Sequence, residues 1–289
     1  MTVIAVRDLV KTFGTVRALD GLDLKVEPGE VHGFLGPNGA GKSTTIRVLL
    51  GMYGRTSGHV CVLGLDPAAD PRAVTRRVAY VPGTVALWPR LTGRQVIEAV
   101  GGLRGARNPK REGELVAAYR LDPDKRIRDY SKGNLQKVAL VAAFAADTPL
   151  LVLDEPTSGL DPLMEEVFQD CVRDAVARGR TVLLSSHILG EVDRLCDRVT
   201  IIKDGRTVET GRLADLRHLS SSRITCLLAN PVPGVAAAGE VDLAVAHDAV
   251  TPTLTRLLAA GATRLTCTPA SLEDLFLRHY AGASSGGAR

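Results

Sequence analysis

Eight consecutive residues, Gly36-Pro37-Asn38-Gly39-Ala40-Gly41-Lys42-Ser43, constrain the fold of this 289-residue chain more than any other part of it. An apolar segment, Val31 to Leu35, leads in, and a helix-compatible stretch, Thr44 to Leu50, leads out. That is the strand–loop–helix setting of a phosphate-cradling loop. Glycines let the backbone curl so that successive N–H groups point at phosphate oxygens, and the following helix adds its positive end. Lys42 would then reach the terminal phosphates as a point charge, and the Ser43 hydroxyl would ligate Mg²⁺. Taken alone, the pattern also fits a glycine-rich turn that binds nothing. In the empty loop Lys42 is expected to pack against nothing, so its removal should barely change stability.

A second segment is placed to complete such a site. Leu150-Leu151-Val152-Leu153-Asp154-Glu155 is an apolar strand ending in two acids. A buried strand delivers its last residue to the C-terminal edge of a parallel sheet, where such sheets bind ligands. Asp154 can hold Mg²⁺ through water, and Glu155 can orient and deprotonate an attacking water. The other reading of the acids is a helix cap at a strand–turn–helix junction.

The remaining segments read as alternating elements. Residues 1–35 are short strands between turn signals, and 58–82 continue in strands and turns. From about Thr92 to Ala146 the apolar spacing is helical. Thereafter come strand Leu150–Leu153, helix Leu163–Arg178, strand Thr181–Ser185, helix Leu189–Cys196 and a hairpin around Asp204-Gly205. After about His218 the character changes, with Ser220-Ser221-Ser222 and Pro231-Val232-Pro233-Gly234 punctuating a small α+β unit over 219–289. It ends in Ser271 to Leu277 and a Gly/Ser-rich tail, Gly282 to Arg289, expected to be disordered. Ser271 to Leu277 is equally an amphipathic closing helix with no specific role.

Bulk properties exclude several classes. A net charge of +4 is weak, and the arginines (28 against 8 lysines) are scattered, not striped as nucleic-acid binding requires. The densest basic stretch, Arg104 to Arg111, reads as a solvated loop or helix face. Five dispersed cysteines read as buried free thiols, not disulfides or a zinc site. The N-terminus lacks the apolar region of a signal peptide, and the longest apolar run, Val138 to Ala146, is far short of a membrane span.

In order, the phosphate loop, Tyr130-Ser131-Lys132-Gly133-Asn134, Asp154-Glu155, Ser158-Gly159-Leu160-Asp161 and His187 resemble the nucleotide-binding subunit of an ATP-binding-cassette (ABC) transporter. The resemblance spans roughly residues 1–215. It implies an α/β P-loop NTPase fold over 1–218 with a helical subdomain at about 93–147. It also implies ATP and Mg²⁺ as cofactors and a head-to-tail dimer holding two ATP molecules, each phosphate loop facing the other subunit's signature segment. By the same resemblance, Gly36, Pro37, Asn38, Gly39, Ala40, Gly41, Lys42, Ser43 and Thr44 hold phosphates, and Ser43 and Asp154 hold the metal. Phe13 stacks on adenine, unless it is an ordinary core aromatic. Ser131 and the Gly133 amide meet the γ-phosphate across the interface, and Asp161 lies in the segment coupling the two sites. Glu155, His187 and Lys42 are the catalytic residues, although a lone histidine is more often structural. Two places depart from the family. Lys132 and Asn134 replace the usual glycine and glutamine of the signature, and Gly83, in Tyr80-Val81-Pro82-Gly83-Thr84, replaces a glutamine that helps bind Mg²⁺ and moves with the membrane subunit.

The implied function is the ATPase of an exporter for a small or lipophilic compound, seated on the cytoplasmic face of the membrane. It would work with a separate transmembrane permease and a second nucleotide-binding subunit, and without nucleic acid. The ending Ser271 to Leu277 resembles the appended domain of antibiotic and drug exporters. Two alternatives stand beside it. A soluble ABC-type ATPase of translation or DNA maintenance would typically carry two cassettes or a long coiled coil, and this chain shows one cassette and no sustained heptads. A hydrolysis-weakened regulatory ATPase is suggested by Gly83 alone.

Overall fold

Between Thr210 and Gly211 the chain divides into two compact units. The computed structural model describes residues 2–105, 107–218, 222–246 and 249–268. Ser271 to Leu277 and the tail from Gly282 lie outside the described residues.

In the first unit, β1 (Ile4–Phe13) and β2 (Val16–Val26) pair antiparallel. They are followed by β3 (Val31–Leu35), α1 (Lys42–Leu49) and β4 (Ser57–Val62), which returns to the other edge of β1. Next come α2 (Pro71–Arg77) and β5 (Val78–Val81). The helical stretch is α3 (Gly93–Arg104), α4 (Pro109–Ala118), a 3-10 turn at Ile127–Asp129 and α5 (Lys132–Phe144). Then β6 (Leu150–Asp154), α6 (Pro162–Ala177), β7 (Thr181–Ser186), α7 (Leu189–Leu195), β8 (Arg198–Lys203) and β9 (Arg206–Arg212) follow.

The second sheet has strand order β5-β6-β7-β3-β8-β9, and β5, β6, β7, β3 and β8 run parallel. Every residue of β3, β6 and β7 is buried, as continuous apolar strands covered on both faces must be. After β3 the chain leaves for the sheet's far edge at β5 and later returns to β3's other side at β8. The crevice at the carboxyl end of β3 therefore sits where the winding changes direction, and Gly36 to Gly41 occupy it.

Segment 58–82 differs from its expected strands and turns in containing α2. Asp70 caps this helix by accepting the Ala73 amide, and Pro71 stands at its first position. Only Val74 of α2 is buried, which left too short an apolar period to read. The basic stretch also differs from a solvated face: Arg107 pairs with Glu112 and Glu98, Arg111 pairs with Asp174, and Arg104 donates to the Ala142 carbonyl. Cys171, Cys196 and Cys226 are buried as expected, but Cys61 is only half-buried and Cys267 is exposed.

The C-terminal end of α5 is closed by arginines. Arg180 is buried and donates to the carbonyls of Thr148 (2.8 Å), Phe144 (3.3 Å) and Ala143 (3.4 Å), and to the Thr148 hydroxyl. The Ala143 and Phe144 carbonyls are ones a helix end leaves without partners, and a cation suits that end of the dipole. Burial pulls the Arg180 pKa down to about 10, so the group stays charged at neutral pH. Arg180→Met is expected to strand these acceptors and cost about 2–4 kcal/mol, read as a lower urea midpoint. An unchanged midpoint would mean solvent reaches the helix end.

The second unit holds α8 (Leu213–His218), β10 (Ser222–Leu228), β11 (Gly239–Val245), α9 (Val250–Ala259) and β12 (Thr263–Thr268). Its antiparallel sheet, ordered β11-β10-β12, has a core of Ile224, Cys226, Leu228, Val232, Val241 and Leu257. Among the described residues, no helix is long and apolar enough to cross a membrane.

Candidate nucleotide site

The phosphate loop is built by one conformational requirement and one omission. Gly41 takes φ 107°, a region side chains rarely enter, to turn the loop into α1. Helix α1 then has no side-chain cap and no acid in its first turn. Its leading N–H groups stay open toward the crevice, which suits an anion. The loop is also held from outside: the Gly205 amide, in the β8–β9 turn, donates to the Ala40 carbonyl at 3.0 Å.

Lys42 is not free, contrary to expectation. It is buried, and its Nζ donates to the carbonyls of Gly36 (2.6 Å) and Pro37 (3.1 Å). A buried ammonium without such acceptors would be costly, and these two loop carbonyls supply them. Burial pushes the Lys42 pKa down, while the charges of Glu155 and Asp154 hold it up. The three groups therefore share one electrostatic neighbourhood, although their positions in the sequence are far apart. Ser43 and Thr44 are half-buried in the first turn of α1.

Asp154 and Glu155 do not cap a helix; Asp161 caps α6 by accepting the Met164 amide at 3.0 Å. Asp154 is buried at the end of β6, its Oδ1 accepting the Ser185 hydroxyl at 2.9 Å. Glu155 turns away from the strand at φ 48°, and its amide donates to the Ser185 carbonyl. That unusual backbone state aims its carboxylate at His187, whose Nδ1 lies 3.2 Å from Glu155 Oε1. The His187 side chain is 52% exposed, so this is no core histidine. The Gly83 backbone lies beside Asp154: a Cβ there would stand 3.3 Å from the Asp154 carbonyl oxygen and 3.7 Å from Oδ2.

Phe13 is 42% exposed and is likewise not a core aromatic. It meets Tyr53 edge to face at 5.3 Å, and the Lys11 ammonium lies 4.7 Å from its ring centre. Tyr53 was not foreseen as a neighbour; it follows α1 and no spacing ties it to β1.

Ser131 and Gly133 sit on a different face. Ser131 caps α5 by accepting the Asn134 amide, and a side chain at 133 would collide with the Gly159 carbonyl. Lys132 donates to the Ser158 hydroxyl at 2.9 Å, and the buried Gln136 donates to the Pro156 carbonyl at 2.8 Å. The start of α5 is thus seated on the 156–161 loop that leaves Glu155.

The chain has recognisable relatives among known proteins. A family model described as ABC transporter matches residues 19–158. The daunorubicin/doxorubicin resistance ATP-binding protein DrrA of Streptomyces peucetius is 38% identical over 221 residues, 75% of this chain and 67% of that protein. The Nod factor export ATP-binding protein I of Paraburkholderia xenovorans is 34% identical over 288 residues, 93% of each chain. A solved ATP-binding subunit of an ABC transporter superposes with TM-score 0.71 at 33% identity, over 74% of this chain and 92% of that one. A dimeric cassette bound to ADP and Pi shares the fold, with TM-score 0.66 at 24% identity, over 73% and 98%.

Proposed function

The chain belongs to the ABC transporter family as an ATP-binding, ATP-hydrolysing subunit, and we propose that it powers export of a small lipophilic compound through a separate membrane-spanning partner. The observation that carries the export reading is the length of the match to the Nod factor export protein, which takes in the second unit as well as the cassette. We read the cassette as residues 1–218, its helical subdomain as 93–147, and 219–289 as an accessory domain.

At the site, free backbone amides of the phosphate loop and of the first turn of α1, together with the Lys42 ammonium, bind the triphosphate, and Phe13 offers its exposed face to the base. The Ser43 hydroxyl and the Asp154 carboxylate are hard oxygen donors that suit Mg²⁺, with phosphate oxygens and water completing its shell. The metal, when bound, neutralises charge on the β- and γ-phosphates. Glu155 takes a proton from water as the water oxygen attacks the γ-phosphorus. The bond to the β–γ bridging oxygen breaks, and ADP leaves with the electron pair. His187 steadies the Glu155 carboxylate and the γ-phosphate. In a head-to-tail dimer of two copies, Ser131 and Gly133 complete the other copy's site, and Asp161 joins the two sites.

The partner's place is an open groove of about 710 Å³ lined by Trp88, Pro89, Arg90, Leu91, Ala99 and Leu103. Trp88 is 52% and Leu103 77% exposed, a contiguous apolar surface that suits an amphipathic helix of the permease at the cytoplasmic face. The test is co-purification with a co-expressed candidate membrane-spanning partner, followed by ATP-driven uptake of a small lipophilic compound into inverted vesicles. Association and uptake are expected; co-purification with ribosomes or DNA instead would sink the reading.

Gly83 tunes the metal. Mg²⁺ keeps several waters, so a water can replace the missing amide at a cost of about 1–2 kcal/mol, or about tenfold in apparent affinity. Gly83→Gln starts its side chain beside Asp154 and should lower the Mg²⁺ needed for half-maximal ATPase activity, after a shift of a few tenths of an ångström at the Asp154 carbonyl. An unchanged Mg²⁺ dependence would remove this position from the metal site.

A further inference from the structure

Behind the Glu155–His187 pair lies a buried acid that the reaction described above does not use. Glu191, on α7, is 4% exposed. Its Oε2 accepts the Ser186 hydroxyl at 2.7 Å, and the same Ser186 oxygen accepts the Ile188 amide at 3.0 Å. Both neighbours of His187 are therefore tied, through one hydroxyl, to one carboxyl. The other oxygen, Oε1, is buried with no donor at full hydrogen-bonding geometry, and the Thr157 hydroxyl is close enough to influence the carboxyl. Thr157 is buried and stands two residues beyond Glu155. Glu191 thus holds the loop that leaves β7 on both sides of His187.

We propose that Glu191 is a positioning residue that fixes the Glu155–His187 pair by holding both neighbours of His187, an inference that rests on the catalytic reading of that pair. The pair needs such help. The His187 side chain is 52% exposed, and Glu155 keeps a backbone state that a non-glycine residue leaves unless its surroundings hold it. A carboxyl removed from water and still not neutralised by a cation is costly, so an alanine or leucine here would stabilise the fold more simply. Burial pushes the Glu191 carboxyl up; the Ser186 and Thr157 hydroxyls and the His187 ring oppose the rise, and Glu165 adds to it. Glutamine keeps an oxygen that can accept the Ser186 hydroxyl, and alanine does not.

The test uses the full-length chain with Mg-ATP, at a temperature where circular dichroism shows each variant folded. Glu191→Ala is expected to lower kcat about 10- to 100-fold while the KM for ATP stays within about threefold, because the pair is misplaced and the phosphate loop is not. Glu191→Gln should keep kcat within about threefold of the wild type. In a His187→Ala background, Glu191→Ala should cost almost nothing more, since both act through the same group. If Glu191→Ala does not fold, Ser186→Ala cuts the same connection and should show the same split between kcat and KM. A folded Glu191→Ala or Ser186→Ala variant with wild-type kcat, or one whose loss adds fully to that of His187→Ala, overturns the inference alone. Normal turnover in Glu155→Gln would overturn the reading of the pair, and this inference with it.

Discussion

Replacing Glu155 by glutamine is expected to stop turnover while leaving ATP bound. The amide keeps the shape of the carboxylate and can still accept from His187 Nδ1, now 3.2 Å from Glu155 Oε1. What it cannot do is take the proton of the attacking water, so kcat should fall by about 10²–10⁴. Phosphate contacts from 36–44 are untouched, and the ATP-bound dimer should accumulate instead of falling apart after hydrolysis. Gel filtration with Mg-ATP reads the dimer, and phosphate release reads the rate. Hydrolysis at the normal rate would show that another group is the base.

Lys42→Ala should have an effect of similar size on the other term, binding. It removes a cation from a crevice where water is scarce, and charge-assisted contacts there are the strong ones. A loss of about 2–4 kcal/mol corresponds to ATP binding roughly 30- to 1,000-fold weaker. The empty protein will also respond, because the ammonium satisfies the Gly36 and Pro37 carbonyls. That loss is set against relief from burying a charge, so stability without ATP should move by no more than about 1 kcal/mol in either direction. Thermal melts with and without nucleotide, beside a fluorescent-nucleotide titration, separate the two effects. A large drop in melting temperature with normal ATP binding would make the lysine a structural strut.

Much of this was legible before any coordinates. Strands β3, β6 and β7 are buried on both faces, so their apolar runs stand out, and Asp204-Gly205 supplies the paired positive φ values (49° and 74°) that a tight hairpin demands. The candidate site residues are picked out by motif order. What stayed hidden has a common cause: it depends on pairs whose partners are remote or polar. Glu155 and His187 meet because β6 and β7 are neighbours, a fact of strand order. Lys42 reads as a free cation because backbone carbonyls leave no trace in a sequence. Glu191 sits on a seven-residue helix too short to show in its sequence which face is buried, and Tyr53 reaches Phe13 only through tertiary packing.

The amide of Gly205 that braces Ala40 opens strand β9, and that strand runs on through Thr210 into the first residues of the second unit. From Gly205 to Gly211 is about 20 Å of extended chain, the sheet's outermost strand. Any shortened form of the protein made by cutting where the two units part would remove Gly211 and Arg212 from this strand and leave β8 less fully covered, and an uncovered strand edge invites pairing with other molecules. The same cut made beyond His218 leaves the strand whole. Where a fragment is made to end therefore bears on whether its phosphate loop stays braced and whether it remains soluble.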